Sequence, residues 1–286
     1  MTRPRNTEQF TVGHRDDGQR LDKAIRGAYP EWGRSAVGRL IQNRQVRING
    51  KLVWLSSWKV RSGDQIEIID PPENKPQAPK RFDPAWLLAD EGDVLVVCKP
   101  AGLLSQLNRA GGSDDLLSLA QAAFGQDLRL FHRLDRDTSG LCMLTRPGPV
   151  NAYLDAAFKQ REVVKEYIAL TAKRGNLAGS GQLRSYLERD ARRSDLMRTV
   201  EKGGQFAFTE YRVEGETSNG LRVRLYPHTG RTHQLRVQLA EQGAPIIGDV
   251  LYGGKPAERL MLHAARIALP EGTGFQAREW ICPPPF

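Results

Sequence analysis

The segment FHRLDRDTSGL, at positions 131–141, carries two aspartates two residues apart, with arginines beside them and Thr-Ser-Gly after them. Carboxylates at this spacing fit four kinds of site: a metal loop, an acid–base pair, a single carboxylate nucleophile or a hydrogen-bonded turn. These sites differ in the other residues that they require.

A calcium loop that begins at Asp135 would place Asp137, Ser139 and Gly140 at its third, fifth and sixth positions. The twelfth position should supply a bidentate glutamate and instead holds Arg146. One arginine lies inside the loop and another just before it, so a divalent cation would be repelled. The segment is therefore not predicted to bind a metal.

The run from Asp137 to Gly140 consists of strong turn formers, which favours a structural role for that part. In an extended HRLD segment, Arg133 and Asp135 share one side while Leu134 faces the core. A carboxylate beside guanidinium groups stays ionised, as a nucleophile or base must. The same arrangement also describes an ordinary ion pair, so a catalytic Asp135, an acid–base pair and a structural role all stay open.

Three further stretches carry polar side chains suited to a site; they are PHTGRTHQLRV, KEYIAL and VVCKPAGLLS, at 227–237, 165–170 and 96–105. The first places His233 and Arg236 three apart on one helix face, beside the apolar Leu235. The second puts Lys165 and Tyr167 on one face of a strand. Each of these residues taken singly is more typical of a structural role.

The segments that contain these residues include both the alternating apolar pattern of strands and the 3.6-residue apolar pattern of helices. Strands are predicted for DVLVVCK, LRLFHRL, LCMLTR, VVKEYIAL, FTEYRV and LRVRLYP, and helices for 114–124, 149–161 and 232–242. Because strands and helices do not alternate regularly, a doubly wound parallel sheet is not expected. Residues 85–286 are predicted to form an α+β domain on a mixed, largely antiparallel sheet.

A smaller α/β unit is predicted at 1–70, followed by a proline-rich linker at 71–84. Two short helices, RLDKAIRGAY and RSAVGRLIQNR, precede a hairpin with an Asn-Gly turn and a closing strand. Arg34, Arg39 and Arg44 lie largely off the apolar stripe of the second helix. They are candidates for contacts with a phosphate backbone.

The chain has 286 residues and a net charge of +9, and arginine supplies 31 of its 42 basic side chains, which suits a polyanionic partner. Cys98, Cys142 and Cys282 are odd in number and far apart. This predicts a reducing cytoplasm, with neither a disulfide framework nor structural zinc. No apolar run is long enough to span a bilayer, and no secretory signal is expected.

The stretch from RLDKAI to GDQIEI, at about 20–70, resembles the S4 RNA-binding domain, although Arg44-Gln45 replaces the family's glycine before the first strand. Residues 85–270 resemble the RluA-type pseudouridine synthases. The matching motifs, in order, are HRLDRDTSG, KEY, TGRTHQLR, GAPIIGDVLYG and LHA. The family isomerises uridine in RNA to its C-glycoside and uses neither a metal nor an organic cofactor.

The resemblance implies catalytic and substrate-binding sets; they are Asp135, Tyr167 and Arg236, and Arg133, Leu235, His132 and His233. Asp135 would start glycosidic cleavage, Arg236 would pair with it, and Tyr167 would lie against the target base. We therefore expect an RNA pseudouridine synthase that acts on large-subunit ribosomal RNA as a cytoplasmic monomer. A transfer RNA substrate, or a non-catalytic RNA-binding factor for ribosome assembly, is the alternative.

Overall fold

The computed structural model describes residues 7–30, 32–71, 79, 81–106, 115–125, 127–172, 175–191, 193, 196–217, 220–271 and 278–286. The chain divides into two compact units, Met1–Gln77 and Ala78–Phe286. Most of the predicted linker at 71–84 lies outside the described residues. Its end does not, because the Phe82 ring packs edge-on against Trp86 and Phe124 in the second unit.

The first unit is a small antiparallel sheet with two helices. Its elements are β1 (Thr7–Thr11), α1 (Leu21–Ala28), α2 (Arg34–Gln42), β2 (Val46–Ile48), β3 (Lys51–Val53) and β4 (Gln65–Ile69). The described strands lie in the order β1-β4-β2-β3. Both predicted helices and the hairpin are present. Strand β1 was not predicted, because TEQFT has a single apolar side chain and gives no period-two pattern.

Backbone conformation explains two features of this unit. Asn49 and Gly50 have φ values of 50° and 80°, as the two-residue turn between β2 and β3 requires. Arg44 has a φ of 58°, in the left-handed region that favours glycine. The arginine that replaces the family's glycine therefore keeps the glycine's conformation, at a cost that the fold must offset.

The second unit is built on one large sheet. Its elements are β5 (Leu87–Asp90), β6 (Val94–Lys99), α3 (Leu116–Phe124), β7 (Arg129–Leu130), β8 (Ser139–Thr145), α4 (Val150–Gln160), β9 (Val164–Thr171), β10 (Ser180–Arg189), β11 (Met197–Val200), β12 (Gln205–Thr217), β13 (Gly220–Pro227), α5 (Gln234–Glu241), β14 (Leu262–Ala268) and β15 (Glu279–Ile281). Among the described residues the order is β11-β10-β12-β13-β9-β14-β8-β6-β5, with β15 beside β14 and β7 beside β8. The predicted mixed, largely antiparallel α+β fold is confirmed.

Helices α3 and α4 cover opposite faces of the sheet at β6 and β8. Alternate residues of both strands pack against α3, and the residues between them pack against α4. Every residue of β8 is buried for this reason. Among the described residues, no helix is long and apolar enough to cross a membrane.

Strands β8 and β14 form the parallel pair of the sheet, with Gly140 opposite Ala264. Gly140 has a φ of 113°, and a Cβ atom there would collide with the carbonyl oxygen of Ala264. The glycine of the Thr-Ser-Gly sequence is therefore required both by its backbone conformation and by the approach of β14. It fixes where the chain enters β8, a few residues after Asp135.

The strand predicted at 128–134 is wrong beyond residue 130, because the chain leaves the sheet after β7. The Ser105 hydroxyl donates to the Leu134 carbonyl at 2.9 Å and accepts from the Leu134 amide at 3.0 Å. A side chain thus satisfies backbone groups that a neighbouring strand would otherwise pair. The hydrophobic periodicity of a sequence does not reveal that a side chain will take the place of a neighbouring strand.

One disulfide bond is present, although the cysteine spacing argued against a disulfide framework. Cys98 and Cys282 are bonded to each other across 184 residues of sequence, and Cys142 is free and buried. Cys98 lies on β6, and the chain after β15 returns so that the Cys282 amide donates to the Ala265 carbonyl at 2.9 Å. The pair is created by the sheet topology, which the spacing of cysteines does not reveal.

Candidate active site

Asp135 lies in the irregular segment between β7 and β8. Its side chain is 25 % exposed, whereas Leu134 is buried in the core and Arg133 is exposed. The Thr138 amide donates to the Asp135 carbonyl at 3.2 Å, so a tight turn follows Asp135 directly. The Asp135 carboxylate is thus partly open to solvent, while the buried Leu134 before it and the tight turn after it fix the backbone.

Lys99 binds the backbone of the segment that contains Asp135. It is fully buried at the end of β6, and its ammonium donates to the carbonyls of Pro100, Leu103 and Arg136 at 2.9, 2.7 and 3.0 Å. Burial lowers the pKa of Lys99 to about 8, so the side chain is still charged at neutral pH. One cation therefore ties the turn after β6 to the residue that follows Asp135.

Arg236, on α5, pairs with two carboxylates. Its Nε and Nη2 atoms donate to Asp249 at 2.7 and 2.8 Å, and its Nη1 atom lies 3.6 Å from Oδ2 of Asp135. Burial acts to lower the pKa of Arg236, but hydrogen bonds and charge from Asp249, with the charge of Asp135, raise it above its ordinary value. Asp249 therefore orients the guanidinium and leaves one nitrogen facing Asp135.

Tyr252 supports the same guanidinium from another side. The guanidinium carbon of Arg236 lies 5.0 Å from the centre of the Tyr252 ring, and the Tyr252 hydroxyl lies 2.7 Å from Nδ1 of His233. His233 has a φ of 54° and precedes α5, although a helix was predicted from residue 232. His233 and Arg236 therefore meet through Tyr252 and not on a shared helix face.

An apolar wall adjoins these charges. Tyr167 on β9 and Leu235 on α5 belong to one apolar cluster, and Tyr167 also packs against the cluster that contains Leu134. Burial, with the negative charge of Asp135, raises the pKa of Tyr167 well above its ordinary value. A neutral phenol and an aliphatic side chain thus stand beside an ion pair, which suits a flat, uncharged ring such as a nucleobase.

The remaining predicted site residues of this unit differ in exposure. The His132 ring stacks on Phe158 with 5.8 Å between centroids, and its Nε2 atom accepts from the Met143 amide at 3.3 Å. Burial lowers the pKa of His132 to about 3, so the ring is neutral. Arg133 is exposed and forms no ion pair with any described residue. It is thus available to a ligand, while His132 supports the strand.

The three candidate arginines of the first unit are all exposed. Arg34 and Arg39 lie on α2, and the guanidinium carbon of Arg44 lies 6.0 Å from the centre of the Trp54 ring. Trp54 and Trp58 are themselves 59 % and 48 % exposed. Cations and flat apolar rings on one small unit are the side chains that single-stranded RNA contacts.

One group of side chains has the composition of a metal site. Cys98, His263 and Cys282 each place a potential ligand atom within 4.8 Å of the others. The two sulfur atoms are bonded to each other, and the imidazole makes hydrogen bonds through both nitrogens: Nδ1 lies 2.7 Å from Oγ of Ser139 and Nε2 lies 2.9 Å from the Cys282 carbonyl. In this arrangement all three ligands are engaged.

The structure adds four residues to the candidate site that were not predicted to belong to it. Asp249 and Tyr252 form the second side of the Arg236 site, and Ser105 and His263 brace the two ends of the Asp135 segment. Asp249 and Tyr252 occur in the GDVLY motif, whose paired polar residues were a usable signal. Nothing in the local sequence marks Ser105.

Two family models match this chain. Residues 19–66 match the S4 domain, and residues 93–241, about half of the chain, match the RNA pseudouridylate synthase model. Together they define a protein class that joins an RNA-binding module to an RNA-modifying domain. The chain belongs to the RNA pseudouridylate synthase family.

Among its relatives, ribosomal large subunit pseudouridine synthase D of Yersinia pestis is 31 % identical over 273 residues, covering 93 % of this chain and 83 % of that protein. The protein of the same name from Escherichia coli K12 is 28 % identical over 297 residues, covering 96 % and 90 %. Human RNA pseudouridylate synthase domain containing 1 has a similar structure, with a TM-score of 0.57, 27 % identity and coverage of 70 % of this chain and 83 % of that chain.

Proposed function

We propose that this protein isomerises specific uridines to pseudouridine in large-subunit ribosomal RNA. The observation that carries the proposal is the Asp135–Arg236 ion pair, at 3.6 Å, beside the apolar wall of Tyr167 and Leu235. The choice of ribosomal RNA is supported by relatives that are named for the large ribosomal subunit and align over most of both chains.

The reaction breaks the bond between N1 of uracil and C1′ of ribose, and forms a bond between C5 and C1′. The hydrogen at C5 is lost as a proton and N1 gains one, so the product is an isomer. We assign Asp135 to the first step, either by attack on C1′ or by removal of a sugar proton. Arg236 offsets the charge of this carboxylate and, held by Asp249, keeps it in one position.

Tyr167 and Leu235 are assigned to hold the detached uracil while it turns. The phenol of Tyr167 is protonated at neutral pH, so it first packs against the base, and removal of the C5 proton is its candidate second role. The target nucleotide must leave its stack to reach this site. We assign the exposed Arg133 to the space that the nucleotide vacates, and His233 to the support of Tyr252.

Arg34, Arg39 and Arg44 are assigned to the RNA backbone, which they would contact without reading its sequence. We further infer that the protein works in the cytoplasm as a monomer and needs no metal. Activity that survives a chelator, and a monomeric mass of the active species in solution, are the corresponding expectations. Activity that is lost with chelator and restored by a divalent cation would contradict the metal-free assignment.

The proposal is tested by release of tritium from RNA labelled at C5 of uridine, because C5 loses its hydrogen only when the new bond forms. We expect release from unmodified large-subunit ribosomal RNA and much less from transfer RNA. Release from transfer RNA alone would move the substrate to that class. Tight RNA binding without release from either RNA would favour the non-catalytic assembly factor.

A further inference from the structure

A basic pocket of about 180 Å³ opens in the second unit. It is lined by the end of α4, the start of β9 and the loop before α5. Its cations are Lys159, Arg161, Lys165 and Arg231, and Gly230 contributes backbone beside them. None of these positions has a role in the reaction described above.

The described part of the chain offers the cations of this pocket little counter-charge. His228, at its rim, lies 3.3 Å from a carboxylate oxygen of Glu210. Among the described residues, no carboxylate lies within 4.0 Å of the four lining cations. Burial and the charge of Arg161 together lower the pKa of Lys165. The cations therefore repel one another, and an anion in the pocket would relieve that repulsion.

Local structure accounts for only part of this cluster. Lys159 and Arg161 lie at the C-terminal end of α4, where the helix dipole favours positive charge. Arg161 nevertheless has a φ of 63°, at a position where glycine is the usual residue. Lys165 is partly buried on a strand, and no helix end stabilises it. The helix dipole therefore does not explain why Arg161 and Lys165 are cations at these positions.

Two structural elements connect the pocket with the candidate active site. Lys165 and Tyr167 share one face of β9, about 7 Å apart along the strand. Phe158, which lines the pocket, stacks on His132, and His132 is three residues before Asp135. An anion bound here would therefore lie next to the apolar wall of Tyr167 and Leu235.

We propose that this pocket binds a backbone phosphate of the RNA substrate beside the target nucleotide, and so fixes the strand while the base is turned out. The inference rests on the proposed function. Phosphate suits these residues because lysine and arginine both bind it, and the amide of Gly230 offers a further donor.

The test compares the double variant K159Q/R161Q with the wild-type protein on a labelled RNA fragment. We expect KM and Kd to rise about tenfold at moderate salt, with kcat changed much less. The dependence of log K on log salt concentration should become shallower by about 0.7–0.9, which is the contribution of the single phosphate contact that the pocket would make. R278Q removes an exposed charge that pairs with Glu271 at 3.5 Å, and serves as the matched control with an unchanged slope.

An unchanged salt slope in K159Q/R161Q, with the wild type active, would overturn the inference. Binding of inorganic phosphate alone, by calorimetry, with no effect of the variant on RNA, would also overturn it, because the pocket would then serve a free anion. A wild-type protein that binds RNA but releases no tritium would instead overturn the proposed function. The two failures are therefore distinguishable.

Discussion

Nη1 of Arg236 lies 3.6 Å from Oδ2 of Asp135, while Asp249 takes the other two nitrogens of the guanidinium fork at 2.7 and 2.8 Å. A contact of 3.6 Å is longer than a charge-assisted hydrogen bond. The buried Asp249 therefore receives the strong interaction, and the partly exposed Asp135 keeps its oxygens available to a substrate. This geometry predicts that Asp249 positions Arg236 while Asp135 reacts.

The substitution D249N tests this division of roles. It keeps the shape of the side chain but leaves Arg236 buried without its main partner, so we expect a loss of about 3 kcal/mol in the free energy of unfolding. Loosening of the guanidinium should lower kcat about a hundredfold, with little change in KM. Single-turnover tritium release and urea unfolding measure the two effects. D155N, which breaks the exposed pair with Arg129, should change neither noticeably, and an equally small effect of D249N would contradict the assignment.

The substitution K99M tests the buried lysine that binds the backbone next to Asp135. It removes the buried ammonium that donates to three carbonyls, one of them buried and two partly buried, and we expect the free energy of unfolding to fall by about 3 kcal/mol. Urea denaturation provides the measurement. K202M alters an exposed lysine and should cost less than about 0.5 kcal/mol. Equal stabilities for the two variants would show that Lys99 does not brace this segment.

Gly140 provides a backbone test of the same segment. G140A would place a methyl group against the Ala264 carbonyl at a φ of 113°, so β8 and β14 must move apart. We expect loss of activity together with destabilisation of several kcal/mol. G179A is the matched control, because a Cβ atom there meets nothing within 4 Å. Thermal melts and tritium release of both variants decide the outcome, and a fully active, stable G140A would refute the close-approach argument.

The stability of the protein should fall in mild acid because of His263. Burial lowers its pKa from 6.5 to about 4, so between these pH values the unfolded chain binds a proton that the folded protein does not. The free energy of unfolding should therefore decrease as the pH falls from 6.5 towards 4, by about 1.4 kcal/mol per pH unit for this group. His132 adds to the same slope.

Urea denaturation at several pH values between about 7 and 5 measures this slope. H263Q should make it shallower, whereas H14Q, at an exposed histidine of the first unit, should leave it unchanged. A slope that is the same in all three proteins would exclude His263 as its source.

Much of the candidate site was predictable, because the residues that form it lie in short motifs. Asp135, Tyr167 and Arg236 come from three separated segments, and their order in the chain carried the prediction. The structure brings Asp135 and Arg236 together and packs Tyr167 beside them. Their roles in catalysis stay predictions until the variants are measured.

What could not be predicted depends on contacts between distant residues. Ser105 ends a strand prediction by bonding the backbone of Leu134, and Cys98 meets Cys282 only because of the order of strands in the sheet. Strand β1 was missed because its side chains are largely exposed and show no alternation. Sequence patterns report burial along one element, whereas these features arise between elements.

The central claim is that Asp135 starts the reaction, and D135N measures it most directly. We predict no detectable tritium release from C5-labelled ribosomal RNA, with RNA affinity within about threefold of wild type, since the change removes one charge from a largely basic surface. D137N, two residues away in the turn, is the matched control and should retain turnover. Turnover by D135N near the wild-type rate, or loss of turnover in D137N alone, would contradict the account.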